Sequence, residues 1–344
     1  MTEVLYAPGL GYYSAGSVKI ASRDSQDQAG LAGDFVTAPE LSPAFGATLA
    51  QQVAQVLSTC EQPKILEFGA GTGRLARDIL QALKQLGHDP TYQILELSAD
   101  LKQRQQDTLK AWSGQVQWID SPDPEFEGVV LANEVLDAMP VHLVGFDSQG
   151  DVFERGVVCS EQGFAWQDHR APANLSEALI ARMPVMPGYL TEINLAAEAW
   201  VLQMAQWLKK GVALLIDYGF TAQEFYHPQR AQGTLMCHIQ HRAHSDPFFA
   251  PGLQDITAHV DFSAIAAAAQ KGGLSVLGFA NQANFLLNAG LAQHAGRLAR
   301  ADMRAVEKLV SEAEMGELFK VLALGRQVDT PLVGFTRSDR RHRL

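Results

Sequence analysis

The stretch ILEFGAGTGRLARDIL, Ile65 to Leu80, places three glycines at alternate positions between a short apolar run and the first turns of an amphipathic pattern. KILEFG reads as a buried strand; Leu75, Ile79, Leu83 and Leu86 then form one apolar helical stripe, with Arg74, Arg77, Asp78 and Lys84 facing away. Glycine has no Cβ, so such a turn lets backbone N–H groups at the start of a helix come close to a ligand. The spacing excludes two phosphate-binding loops. A P-loop needs a lysine after its last glycine, and Arg74 follows Gly73 here. The dinucleotide fingerprint needs a glycine three positions after its second, and that position after Gly71 is Arg74. A dinucleotide is still the main rival ligand, because strand, glycine turn and helix follow in the same order.

The rest of the chain alternates in the same manner. YQILEL (strand), Leu101 to Trp112 (helix), VQWI (strand) and GVVLAN (strand) follow, and later a helix from Leu195 to Leu208 precedes the strand GVALLIDYG. Strands alternating with helices predict a parallel, doubly wound α/β sheet. LSVLGFA and FKVLAL near the C-terminus bring it to about seven strands. DVFERGVVCSEQGFAWQ alternates around a polar break, Ser160 to Gly163, and predicts an inserted β-hairpin, while Gln223 to His259 reads as loop-rich. The expected organisation is an N-terminal lid over 1–44, a core over 45–145 and 195–344, and an inserted hairpin and helical unit over 146–194.

Composition narrows the function. With 344 residues and 47% hydrophobic content a sizeable core is available. A formal net charge of −11 opposes binding to a phosphate backbone, so no nucleic-acid partner is expected. Cys60, Cys159 and Cys237 are too few and too far apart for a disulfide framework or a four-cysteine zinc site, which points to free thiols in a reducing compartment. The start, MTEVLYAPGLGYY, has no basic and apolar leader pattern, and no apolar run approaches about 18 residues. The expectation is a cytoplasmic protein with no membrane insertion.

The pattern Glu67-x-Gly69-x-Gly71-x-Gly73 resembles the first motif of class I methyltransferases that bind S-adenosylmethionine, a ligand that needs no phosphate cradle. Glu96 closes the second strand, where an acidic side chain can accept hydrogen bonds from both ribose hydroxyls. Asp120, after the third strand, is either a contact to the adenine amino group or a solvated turn. Beyond the motif, LYAPGLGYYS, GDFVTAPELSPAFG, YQILELSADLKQRQ, LANEVLDAMPVH, LLIDYGF and DITAHVDF resemble the MidA-like methyltransferases, in order and over nearly the whole chain. The resemblance implies a class I (Rossmann-like) methyltransferase sheet, bound S-adenosylmethionine and a protein arginine as acceptor; the alternatives are a small molecule or another protein side chain as acceptor, or a non-catalytic assembly factor that binds the cofactor. A respiratory complex I subunit as protein substrate is implied by the resemblance alone. A homodimer is left open.

The segment ANEVLDAMP follows the fourth strand, at the sheet end where open α/β folds bind ligands. Asn133 can bond the cofactor through its amide, and Glu134 and Asp137 can present two carboxylates to a guanidinium. Arginine stays protonated, yet its methylation must end with a proton lost, so paired carboxylates that orient and then accept that proton suit the reaction. Asp137 has a second reading, as the cap of a turn before Pro140. Asp217 and Tyr218, at the end of the fifth strand, either line the acceptor pocket or punctuate a strand end. Tyr12, Tyr13 and the segment Gly33 to Glu40, with Thr37 as a cofactor contact, are expected over the cofactor. Trp200 and Trp207 read as packing residues of the helix from Leu195. His238, His241 and His244 lack an HExxH pattern or a cysteine pair, so no metal is expected.

Overall fold

In the computed structural model, residues 1–14, 36–296 and 300–344 are described. The lid residues 15–35, including Gly33 to Asp34 and Phe35, lie outside the described residues. Short apolar runs become the strands of a central sheet: β1 Lys64–Phe68, β2 Thr91–Leu95, β3 Val116–Trp118 and β4 Phe126–Asn133. An insertion follows, with β5 His142–Phe146, β6 Val152–Ser160, β7 Gly163–Arg170 and β8 Leu190–Ile193. The chain then returns with the long strand β9 Leu208–Phe220, adds β10 Met236–Ile239, β11 Arg242–His244, β12 Asp255–Thr257 and β13 Val260–Asp261, and ends with β14 Ser275–Asn281 and β15 Phe319–Arg326. The central order is β14-β15-β9-β4-β1-β2-β3. Strands β9, β4, β1, β2 and β3 run parallel, whereas β15 is antiparallel to both β14 and β9. The short strand β13 pairs with β9 off this path as an eighth strand, and the mostly parallel path of seven is the sheet that the resemblance implies.

The pleat distributes neighbouring side chains to two cores. Ile65, Val129 and Leu214 pack on one face and Leu66, Val130 and Leu215 on the other, as a strand covered on both sides requires. On the first face lie α3 Pro43–Leu57 and α4 Arg74–Gln85, reached through α1 Thr2–Tyr6 and α2 Ala38–Leu41. Then comes α5 Ala99–Thr108, beyond β2; the helix expected to reach Trp112 breaks here, and Lys110–Trp112 continue as a 3-10 turn. The helical unit of the insertion is α6 Ala173–Arg182, and α7 Leu195–Trp207 covers the second face together with the helix Phe262–Lys271.

One expectation about α4 is corrected. Arg74 and Asp78 do not face solvent; both are buried, because α2 and α3 cover that side of the helix. The Arg74 guanidinium pairs with Glu40 at 3.0 Å, and Thr72 donates its hydroxyl to the same carboxylate. Glu40 therefore ties α2 to the glycine turn. Removing one partner of a buried pair leaves the other charge uncompensated, which typically costs about 3–5 kcal/mol. Arg74→Met is expected to lower unfolding stability by that amount in a denaturant titration; a loss below about 1 kcal/mol would show that the pair does not hold α2 in place.

The insertion begins earlier than the pattern suggests. It is a four-stranded antiparallel sheet, β7-β6-β5-β8, that starts at His142 because β5 pairs with β6 and with β8. Its hairpin turns at Ser160 to Gly163 as expected. The loop-rich stretch from Gln223 contains a three-stranded sheet, β11-β10-β12, whose strands of three or four residues are too short to show alternation. The three cysteines are free thiols.

Candidate active site

The carboxyl ends of β1, β2 and β4 open into one cavity of about 760 Å³, within the size range of small-ligand sites. Its floor is the turn after β1. Gly69 and Gly71 line the cavity with φ of +62° and +55°, left-handed values that side chains rarely adopt. Gly73 is different: it caps α4 outside the lining, and a Cβ there would meet the Gln105 backbone at 3.3 Å. The third glycine thus serves close packing of α5 rather than ligand approach. Glu67, at the strand end, also lines the cavity and accepts the Tyr92 hydroxyl at 2.8 Å.

Glu96 presents its carboxylate on the next strand end. One oxygen accepts the Ser98 N–H at 2.9 Å and the other the Gln105 amide at 2.9 Å. Of the two readings of Asp120, the structure favours the solvated turn over the adenine contact: Asp120 is exposed and absent from the lining, where Pro122 is found instead. Overhead, Thr37 and Tyr13 line the cavity as expected. Tyr12 does not; it is buried in a small core with Leu5, Cys237 and Ile256. Tyr6 occupies the place beside Tyr13, with stacked rings 5.6 Å apart, and donates its hydroxyl to the Ala138 carbonyl at 2.8 Å. Trp200 and Trp207 pack on Phe68 as expected, but both also line the cavity, so they form part of the site.

The segment after β4 carries the acidic residues. Glu134 lines the cavity in a left-handed conformation, φ +55°, held by its N–H to the Ile216 carbonyl at 2.9 Å. A non-glycine residue there is strained, a state that concentrates at functional sites. Asn133 donates its amide to Glu134 at 3.0 Å, while its own Oδ1 is buried with no partner among the described residues. Asp137 and Asp217 lie behind the wall. Asp217, fully buried, accepts N–H bonds from Leu136, Asp137 and Tyr218 at 2.9–3.2 Å, so it shapes the segment and does not line a pocket. Asp137 receives the Tyr218 hydroxyl on one oxygen, and the other oxygen has no partner among the described residues. The reading of Asp217 as an acceptor contact is thereby corrected to a supporting one.

Burial perturbs all of these acids. It pushes Glu67 and Glu134 up to about 8 and Asp137 up to about 6, with Asp137 itself adding to the rise of Glu134. Asp217 is raised well above its ordinary range by burial and then by Asp137 and Glu134. The folded chain accordingly holds protons that the unfolded chain loses near the ordinary carboxylate value of 4.5. The stabilisation is complete below that value and is lost as pH rises through about 8. The melting temperature of the ligand-free protein should fall by a few degrees (about 2–6 °C) between pH 6 and pH 9. A flat or rising profile there would mean that these carboxyls are ionised when folded.

Gln105 and Tyr6 carry no motif that singles them out in the sequence, and Glu40, within the segment expected over the cofactor, lines the cavity. Gln105 left a legible sign: a glutamine at helical spacing between the buried Leu101 and Leu109.

Left-handed glycines at a helix start, a carboxylate on the neighbouring strand end, an unpartnered Asn133 oxygen and a cavity of this size fit S-adenosylmethionine. Sheet and site together define a class I S-adenosylmethionine-dependent methyltransferase. Residues 48–280 match the model of a family described as S-adenosyl-L-methionine-dependent methyltransferases, and the chain belongs to that family. It is 48% identical to a superfamily relative from Burkholderia thailandensis whose crystal structure holds S-adenosyl-homocysteine, with TM-score 0.93 over 100% of this chain and 90% of that one. It is also 30% identical to the mitochondrial protein arginine methyltransferase NDUFAF7 of Mus musculus, over 94% of this chain and 79% of the relative. The corresponding Drosophila melanogaster homologue is 28% identical over 98% and 84%. The cofactor is S-adenosylmethionine.

Proposed function

We propose that this methyltransferase acts on a protein arginine side chain. The observation that carries the proposal is Glu134: a cavity-lining carboxyl, backed by the buried carboxyls of Asp137 and Asp217, whose hydrogen bonds come from an amide, backbone N–H groups and a tyrosine hydroxyl rather than from a basic side chain. Such a cluster is deficient in positive charge, and a guanidinium supplies it in a planar form that a carboxylate can grip with two hydrogen bonds. The names of the NDUFAF7 relatives agree with this acceptor class.

On this reading Gly69 and Gly71 admit the cofactor along the turn, Glu96 accepts its ribose hydroxyls, and Thr37, Glu67 and Asn133 complete its surroundings. S-adenosylmethionine supplies a methyl group carried on a positively charged sulfur. Glu134, once ionised, orients the acceptor nitrogen and receives the proton that this nitrogen loses on methylation. Asp137 acts from behind, held by Tyr218, and raises the basicity of Glu134 by its own charge. The Tyr6 and Tyr13 rings roof the same space, where aromatic faces favour cations.

Incubation with methyl-labelled cofactor and lysate of the source cell tests the reading. Label should appear on a protein, be recovered as methylarginine after hydrolysis, and disappear when the acceptor arginine is changed to lysine. Label confined to small molecules, or to another amino acid, would overturn the arginine acceptor and leave the methyltransferase class intact.

A further inference from the structure

We propose that Gln105 is a positioning residue for the cofactor, coupling the glycine turn to the Glu96 carboxylate; the proposal rests on the ribose role of Glu96 given above. Leu101, Gln105 and Leu109 follow one another on the buried side of α5 and its end, and Gln105 is wholly inaccessible. A buried amide is costly unless its donors and acceptor are used. Here each is used once. The Nε2 group donates to the Gly71 carbonyl at 3.0 Å and to Glu96 Oε2 at 2.9 Å, and Oε1 accepts the Trp118 indole N–H at 2.9 Å. Gln105 does not line the cavity, so it acts only through the groups that it holds.

The arrangement gives one side chain control over two parts of the site. Glu96 has three rotatable torsions, and an unheld carboxylate at a strand end would be ordered only when ligand arrives. With Oε1 on the Ser98 N–H and Oε2 on Gln105, the carboxylate is oriented before binding. The Gly71 carbonyl accepts from the same amide, so the peptide plane that follows this left-handed residue, φ +55°, is held as well. Gly73 completes the device, since a side chain there would push on Gln105 at 3.3 Å. Trp118 at the end of β3 sets which way the amide faces, because its indole can only donate.

Orientation of Glu96 and mere filling of the core make different predictions about ligand preference. Gln105→Met keeps the length and removes the amide. Calorimetry with S-adenosylhomocysteine and with its 2′,3′-dideoxy analogue separates the two roles. In the unaltered chain S-adenosylhomocysteine should bind more tightly. Gln105→Met should weaken the analogue about twofold through the loosened Gly71 turn and S-adenosylhomocysteine about tenfold through the turn and Glu96 together, so that the preference shrinks by about fivefold. A purely packing role would weaken both alike and leave the preference unchanged, which would overturn the proposal. If Gln105→Met does not fold, Trp118→Phe frees Oε1 alone and should reduce the preference about twofold, an unchanged preference being the overturning result. Equal binding of both ligands by the unaltered chain would instead overturn the ribose contact of Glu96, and this inference with it.

Discussion

Glu134→Gln is expected to slow methyl transfer by a factor of about 10² or more, the effect of losing a positioned acid or base, while cofactor affinity changes less than about threefold. The substitution keeps the size of the side chain and its bond from Asn133, so the left-handed backbone at φ +55° is not asked to hold a new shape. What is lost is the negative charge and the place for the acceptor proton. The same group makes the reaction depend on pH. Because Glu134 is pushed up to about 8, its ionised fraction grows across about pH 6–9, and the transfer rate should climb over that interval and level off above it. Glu134→Gln should flatten the climb. Full transfer by this variant with lost cofactor affinity would move Glu134 into the cofactor site and remove the main support for an arginine acceptor.

Gly71→Val should weaken S-adenosylhomocysteine binding tenfold or more by calorimetry, and Glu96→Ala should do so by a comparable factor. The two act differently. At Gly71 a branched side chain must adopt φ +55° and fill the surface along which a ligand approaches the turn, where left-handed backbone costs about 1–2 kcal/mol before any contact is lost. At Glu96 a charged acceptor disappears, and hydrogen bonds to charged groups are worth about 1.5–3 kcal/mol. The Gln105 amide would also be left without one of its acceptors, so part of the Glu96→Ala effect reaches the turn through Gly71. Unchanged affinity in Gly71→Val would place the ligand elsewhere in the cavity. A Glu96→Ala variant that binds as tightly as the unaltered chain would remove the ribose contact.

The glycine-turn side of the cavity was legible because it is local. Strand, glycine turn and helix are contiguous from Lys64 to Gln85, and left-handed backbone at Gly69 and Gly71 follows from the residue type itself. Glu96 was legible for a related reason: it ends the strand parallel to β1, and a doubly wound order places such ends side by side. The acidic half was only partly legible. Glu134 and Asp137 stand three residues apart, yet Glu134 lines the cavity and Asp137 does not. No periodicity predicts that difference, which arises because Asp217, 80 positions further on, takes the N–H groups of Leu136 and Asp137 and draws that backbone inward.

Sequence by itself therefore determined the class of sheet, the glycine turn that lines the cavity and the acid after the adjacent strand, since each depends on residue identity within a few positions. Tertiary structure alone decided the partners and ionisation of the buried groups. It turned Arg74 inward to Glu40, set Gln105 between Gly71 and Glu96, and gathered Glu134, Asp137 and Asp217 into one acidic cluster whose members raise one another. The reason is physical. Backbone preference is a property of short segments, whereas desolvation and charge coupling depend on what distant segments bring into contact, and a carboxyl at about 8 is indistinguishable in the sequence from one at its ordinary value.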